Sequence, residues 1–222
     1  MRLIIATRNL HKTGEIRAIL GEPFEYVTLR DLPPAPDVVE DAPTFEGNAA
    51  KKAATLALWL THEQKLNDGF VIADDSGLEV DALNGAPGVH SARFAALDDP
   101  AAQPGRNSTD QENNAKLLRL LENIPAEKRT ARFRCVIALV SLEGDAAPSF
   151  DAIAKSARIF QGECEGRMGF APKGAGGFGY DPLFVPTGYT QSFAELGEDV
   201  KNKLSHRAKA LEELRNYLAK RE

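Results

Sequence analysis

Apolar residues gather into short runs separated by polar stretches. Leu3-Ile4-Ile5-Ala6 is an unbroken apolar run bounded by polar residues, the pattern of a buried strand, and Ile16, Ile19 and Leu20 then recur at helical spacing. This predicts a helix from about His11 to Leu20 after a short polar loop. A second strand is expected around Glu25 to Leu29. Asp31 to Pro43 carries Pro33, Pro34, Pro36 and Pro43 and reads as a loop or lid. Thr44 is a natural N-cap for a helix whose buried stripe is Phe45, Ala49, Ala53, Leu56 and Leu60, with Lys51 and Lys52 on or beside its other face.

Further along, Phe70 to Ala73 predicts a strand, Asp74-Asp75-Ser76-Gly77 a break, and Leu78 with Val80 a second strand. Ser108 with Gln111 has the signature of a capping box for a helix through Leu117, Leu118 and Leu121 that stops before Pro125. Apolar residues alternate from Arg132 to Leu142, and Glu143-Gly144-Asp145 looks like a turn into a strand from roughly Ser149 to Glu163. The expectation is a long antiparallel hairpin. Gly166 to Gly179 holds six glycines and precedes a short strand, Leu183-Phe184-Val185, ended by Pro186. Ser205 caps a last helix with Ala208, Leu211, Leu214 and Leu218 on its buried stripe. Helices and strands mix without strict alternation, which predicts α/β or α+β architecture with a mixed, partly antiparallel sheet.

Length and charge narrow the function. A chain of 222 residues suits one large domain or two packed lobes, and no repeat or linker divides it. Its net charge of -5 and pI near 5.5 argue against a nucleic-acid coat, so an anionic substrate needs a local basic cluster. The longest apolar run, Cys135 to Val140, is too short to cross a membrane, and the N-terminus lacks a signal-peptide segment. Cys135 and Cys164 lack metal-site spacing and read as buried reduced thiols, which points to the cytoplasm. Asn107-Ser108-Thr109 matches the glycosylation pattern by chance on that reading.

Four constellations could carry chemistry. Thr7-Arg8-Asn9-Leu10-His11-Lys12 lies between a strand and a helix start, where free N–H groups favour phosphate, although an ordinary polar turn has the same look. Asp74-Asp75-Ser76-Gly77, with Glu40 and Glu46 nearby in sequence, either holds a Mg²⁺ ion that keeps several of its waters or is a simple turn. Gly174-Ala175-Gly176-Gly177-Phe178-Gly179 fits G-x-G-x-x-G by letter, but Pro182 and Pro186 forbid the helix a dinucleotide site needs. A glycine loop tipped by Phe178 and Tyr180 instead suits a flat ligand stacked on a ring. Lys201 with Ser205-His206-Arg207 places donors at a helix start, or is a capped surface helix. No P-loop, kinase signature, nucleophile elbow or H-E-x-x-H motif is present.

Six segments in order carry a resemblance. They are Ala6-Thr7-Arg8-Asn9 with Lys12, Thr44-Phe45 with Asn48 and Lys52, Ala73-Asp74-Asp75-Ser76-Gly77-Leu78, Gly85-Ala86-Pro87-Gly88 with Ser91-Ala92-Arg93, Gly177-Phe178-Gly179-Tyr180-Asp181-Pro182, and Ser205-His206-Arg207. Over nearly its whole length the chain resembles the inosine triphosphate pyrophosphatase family, also called XTP/dITP diphosphatases. Arg8 departs from the glycine many members carry there.

The resemblance implies an α/β fold, a long mixed, partly antiparallel sheet with flanking helices forming two lobes around a central cleft, as a single pyrophosphatase domain over residues 1–222. It implies a homodimer that hydrolyses ITP, dITP and XTP to the monophosphate and pyrophosphate, with no nucleic-acid polymer or membrane as partner. Thr7, Arg8, Asn9, Leu10, His11 and Lys12 would hold phosphate, and Lys52 would face the triphosphate. Glu40 and Asp75 would hold Mg²⁺, with Asp75 the catalytic proton acceptor and Asp74 assisting. Ser76 would contact substrate, Phe178, Gly179, Tyr180 and Asp181 would receive the base, and Lys201, His206 and Arg207 would close the pocket. Two alternatives stand beside this: a related pyrophosphatase for another modified or pyrimidine nucleotide, and a catalytically silent nucleotide sensor.

Overall fold

The computed structural model describes residues 1–99, 106–143 and 149–220. Its six strands form one mixed sheet in the order β2-β1-β3-β4-β5-β6. Strand β1 (Arg2–Ile5) runs parallel to β2 (Glu25–Thr28), with Ile4 opposite Val27, and parallel to β3 (Phe70–Val80), with Ile4 opposite Val71. Strands β4 (Thr130–Ser141) and β5 (Arg158–Met168) follow, and β6 (Phe184–Pro186) closes the order, antiparallel to β5 with Val185 opposite Arg167.

The chain divides into two compact units, one of residues 1–75, 135–161 and 210–222 and one of residues 76–134 and 162–209. In the first, α1 (Leu10–Leu20) lays Ile16 and Leu20 on Leu3, Ile5, Ile72, Ile137 and Leu139, where Leu211, Leu214 and Leu218 of α7 (His206–Leu218) also pack. Helix α2 (Phe45–His62) starts at the expected cap, Thr44, whose hydroxyl accepts from the Gly47 N–H, and it buries the expected stripe. In the second unit Leu78, Val80, Leu117, Leu121, Phe133, Tyr180, Phe184 and Phe193 form a separate core. The Phe133 and Phe184 ring centroids lie 4.7 Å apart there.

The pattern along β4 reports its surroundings. Arg132 and Arg134 are half-exposed between buried neighbours, whereas every residue from Cys135 to Val140 is buried, as in a strand covered on both faces.

Three expectations need correction. Asp74 to Gly77 do not break the sheet: β3 runs unbroken from Phe70 to Val80. Aspartate and glycine are poor strand formers, but here both carboxylates find partners inside the fold, and tertiary contacts outweigh propensity. Helix α4 (Phe150–Ser156), capped by Ser149, occupies the start of the stretch expected as strand. Gly144 and Asp145 of the expected turn lie outside the described residues. Helix α3 (Asp110–Leu120) is capped by Thr109, not Ser108, because the Glu112 carboxylate accepts from the Thr109 N–H and completes the box. The Ser108 hydroxyl instead accepts from the Ala96 N–H. Two short helices, α5 (Phe193–Leu196) and α6 (Glu198–Leu204), precede α7 without an apolar period long enough to announce them.

Candidate active site

The first cluster grows from a mismatch of strand lengths. Pairing of β1 with β3 ends at Ile5 opposite Ile72, so Asp74 and Asp75 stand past the carboxyl end of β1, where open α/β sheets bind ligands. From the same end the chain runs through Thr7, Arg8 and Asn9 into α1. The Asn9 side chain caps that helix by accepting from the His11 and Lys12 N–H groups.

Successive strand residues point to opposite faces, and the two acids divide accordingly. Asp74 accepts from Lys12 Nζ of α1 at 2.5 Å and from Cys135 Sγ of β4 at 3.1 Å. Asp75 meets α2: Lys52 Nζ is 3.1 Å from its Oδ1, and Asn48 Nδ2 donates to its Oδ2 at 3.2 Å. Lys52 also reaches Glu40 Oε2 of the proline-rich segment at 2.9 Å. Asn48 is fully buried, and its Oδ1 accepts from the Ala42 N–H, which pins that segment beside the acids.

Electrostatics sets the protonation of this cluster. Burial pushes Asp75 up to about 6, Lys52 and Lys12 only partly offset it, and a hydrogen bond with the Glu40 carboxyl adds to the rise. Burial works the same way on Glu40, but the Lys52 charge and the Asp75 hydrogen bond outweigh it and hold Glu40 below the usual carboxylate range. Burial opposes the Lys52 charge, yet Asp75 and Glu40 prevail and raise its pKa. The result is an ionised Glu40 accepting from a carboxyl group that releases its proton near neutrality. Two carboxyl groups in contact through one proton form a donor pair that a hard divalent cation fits, since Mg²⁺ takes few protein oxygens and keeps its waters.

The second cluster belongs to the other unit. Lys201 Nζ lies 2.6 Å from Asp181 Oδ2, both side chains being under 5% exposed, and sits 4.4 Å from the Phe178 ring centroid. Asp181 Oδ2 also accepts from the Phe178 N–H at 2.9 Å. Gly177 has φ +72°, and a Cβ there would collide with the Asp181 carboxylate, so this bend needs glycine. Arg207, 1% exposed, donates to Ser76 Oγ at 2.8 Å. His206 stacks on Phe133 at 4.8 Å and 12°.

The model of the Ham1 family matches residues 3–217 of this chain. The chain belongs to the Ham1 family. A Geobacter sulfurreducens dITP/XTP pyrophosphatase is 45% identical over 218 residues, covering 98% of this chain and 96% of that protein. Among solved structures, a HAM1 protein from Coxiella burnetii superposes with a TM-score of 0.77 at 35% identity, covering 99% of both chains. A nucleoside-triphosphatase/dITP/XTP pyrophosphatase from Mycobacterium abscessus gives 0.68 at 38% identity, covering 96% of this chain and 98% of that one. The α/β fold with a mixed sheet expected from the sequence is the Ham1 fold.

Within this Ham1 chain the expected site residues fall into distinct settings. Lys12, Lys52, Glu40, Asp74 and Asp75 come together in the first unit; Ser76, Phe178, Asp181, Lys201 and Arg207 are linked within the second. Thr7 and Asn9 shape the loop, the Thr7 hydroxyl accepting from the Asn9 N–H. Leu10 and His11 are exposed at the start of α1. Arg8 turns aside and donates to the Ala35 carbonyl and the Asp37 carboxylate, fastening the proline-rich segment.

Tyr180 departs from the expectation of a second stacking ring. Its ring is buried in the second core, its hydroxyl donates to the Ser91 carbonyl at 2.9 Å, and burial pushes its pKa up; only Phe178 remains half-exposed. Sequence reasoning assigned no role to Asn48 or Cys135. Asn48 sits one helical turn from Lys52 and was legible from that spacing, whereas Cys135 was hidden by its place in an apolar run.

Proposed function

We propose that this chain hydrolyses non-standard purine nucleoside triphosphates, dITP, XTP and ITP among them, to the monophosphate and pyrophosphate. The observation that carries the reading is a pair of buried carboxylates past the end of β1, each matched by a lysine from a flanking helix. The relatives' activity on dITP and XTP supports the choice of substrate.

On this reading Asp75 takes the proton from the attacking water, a task suited to a group with a pKa near the working pH. Lys12 and Lys52 face the charge that develops on the phosphates, where fixed cations in a dry setting act most strongly. Glu40 and Asp75 would hold Mg²⁺, which supplies an acidified water and neutralises phosphate charge. Asn48 keeps Asp75 oriented, and Cys135 with Lys12 does so for Asp74. Phe178, its ring under the Lys201 ammonium, offers a stacking face to the purine.

Product analysis tests the proposal. With ITP and Mg²⁺ the products should be IMP and pyrophosphate; a diphosphate plus inorganic phosphate overturns it, and no turnover of any triphosphate leaves the sensor reading in its place. Preference for a pyrimidine triphosphate in the same assay would favour the related pyrophosphatase. A homodimer is part of the proposal, and sedimentation equilibrium should return about twice the 24.1 kDa chain mass.

A further inference from the structure

Gly179 lies in the loop read above as the receiver of the base, yet its own polar groups are already engaged. Its N–H donates to Asp110 Oδ2 at 2.7 Å, and its carbonyl accepts from Asn114 Nδ2 at 2.9 Å. Both partners come from α3, four residues apart and therefore on one face of that helix. At φ +62° Gly179 has a backbone that glycine reaches freely and most side chains avoid, and a residue this free has many other conformations that the two bonds exclude.

The clamp is anchored on both sides. Helix α3 starts at a complete capping box, and the carboxylate of Asp110 in its first turn is favoured there by the helix dipole. Asn113, next along the helix, accepts from the Ala95 N–H at 2.8 Å and so ties the same turn to the 3-10 segment over residues 95–98. Asn114 is buried, and its Nδ2 is spent on the Gly179 carbonyl. Its amide is of use here for what it grips.

We infer that Asp110 and Asn114 are positioning residues for base selectivity: by taking both hydrogen-bonding groups of Gly179 they fix the loop that carries Phe178 and Asp181. The inference rests on the reading that residues 178–181 receive the base. It follows that the Gly179 N–H, its one donor, reads no base edge. Its neighbours do so, and their aim depends on α3.

The experiment compares kcat/KM for ITP and ATP in four variants. The ratio of the two substrates is independent of how much enzyme is folded, so lost stability cannot imitate the effect. Asp110→Ala and Asn114→Leu should each narrow the ITP-to-ATP ratio by about tenfold, the scale of misplacing a binding group by a fraction of an ångström. Asp110→Asn keeps an oxygen acceptor for the Gly179 N–H and should hold the ratio within about threefold of the parent, the residual effect of a weaker neutral bond. Phe178→Ala is the control for the underlying reading and should raise KM for all purines. If Phe178→Ala leaves KM unchanged, the assignment of the base site fails. If Phe178→Ala acts but Asp110→Ala and Asn114→Leu leave the ratio intact, the clamp has no part in selectivity and the inference is overturned.

Discussion

In the proposed mechanism Asp75 is the residue on which the chemistry turns, and its setting makes a prediction about pH. Its carboxyl must be ionised to accept a proton, and burial lifts it to about 6, so kcat/KM should fall as pH drops through that value. Added divalent cation competes with the proton and should move the limb to lower pH. A profile flat from pH 5 to 8 at low cation would remove Asp75 from the role. Asp75→Asn should lower kcat by on the order of 10² or more while the chain stays folded. The same shift fixes a sign for stability. Between the ordinary 3.8 and about 6 the folded chain keeps a proton the unfolded chain has released, so Asp75 favours folding below that window and loses this contribution as pH rises through it. Glu40 shifts the opposite way and offsets part of the effect.

Among elements, α3 does more than fill space, and its far end shows how it is held. Arg129, 2% exposed, donates to the carbonyls of Ile124, Gly169 and Leu121 at 2.8, 2.9 and 2.5 Å, the last being the C-cap residue just past α3. A cation at the C-terminal end of a helix also meets the negative end of its dipole. Arg129→Ala leaves three carbonyls without this donor and should destabilise the chain by about 3 kcal/mol, read by urea denaturation. Arg129→Lys should rescue little of it, because one ammonium cannot span the fork of a guanidinium. Equal midpoints for parent and Arg129→Ala would show that the carbonyls find other donors.

Elements were legible in the sequence where one period ruled. Helices α1, α2 and α7 announced themselves through caps and stripes, and β1 through an apolar run. Strand β3 is not legible because local propensity marks Asp74 to Gly77 as a break, while the contacts that overturn it come from Lys12, Lys52, Asn48 and Cys135, between 23 and 62 positions away. No window along the chain contains that information. The expected site residues come from the resemblance, and two details of their setting are not legible in it. The turning of Arg8 toward Asp37 and the burial of Tyr180 depend on what lies opposite each side chain in the fold.

At the scale of the whole molecule, the match to the Ham1 family over residues 3–217 leaves little of the chain outside a shared architecture. Within that span, differences in behaviour from relatives are to be sought at single positions. Arg8, where the resemblance leads one to expect glycine, is a position to test. Its ion pair with Asp37 joins two exposed groups, so losing that pair in Arg8→Gly should cost less than about 1 kcal/mol, the ordinary worth of a surface ion pair. Thermal melts of the two proteins check this.

The division of Asp74 and Asp75 between two faces of β3 has a consequence for counter-ions. Lys12 and Lys52 bring two positive charges to a place where Glu40, Asp74 and Asp75 bring three carboxyl groups. Such a site is close to electrical balance before any nucleotide arrives, and a polyphosphate tips it strongly negative. Binding must then recruit positive charge from solution, as cations where they are present and as protons where they are not. Calorimetry with a non-hydrolysable triphosphate analogue reads this directly. In chelator the heat should differ between buffers of low and high ionisation enthalpy, reporting proton uptake, and the difference should shrink as divalent cation is restored. Tight binding in chelator with the same heat in every buffer would mean that the nucleotide's charge is met elsewhere on the chain.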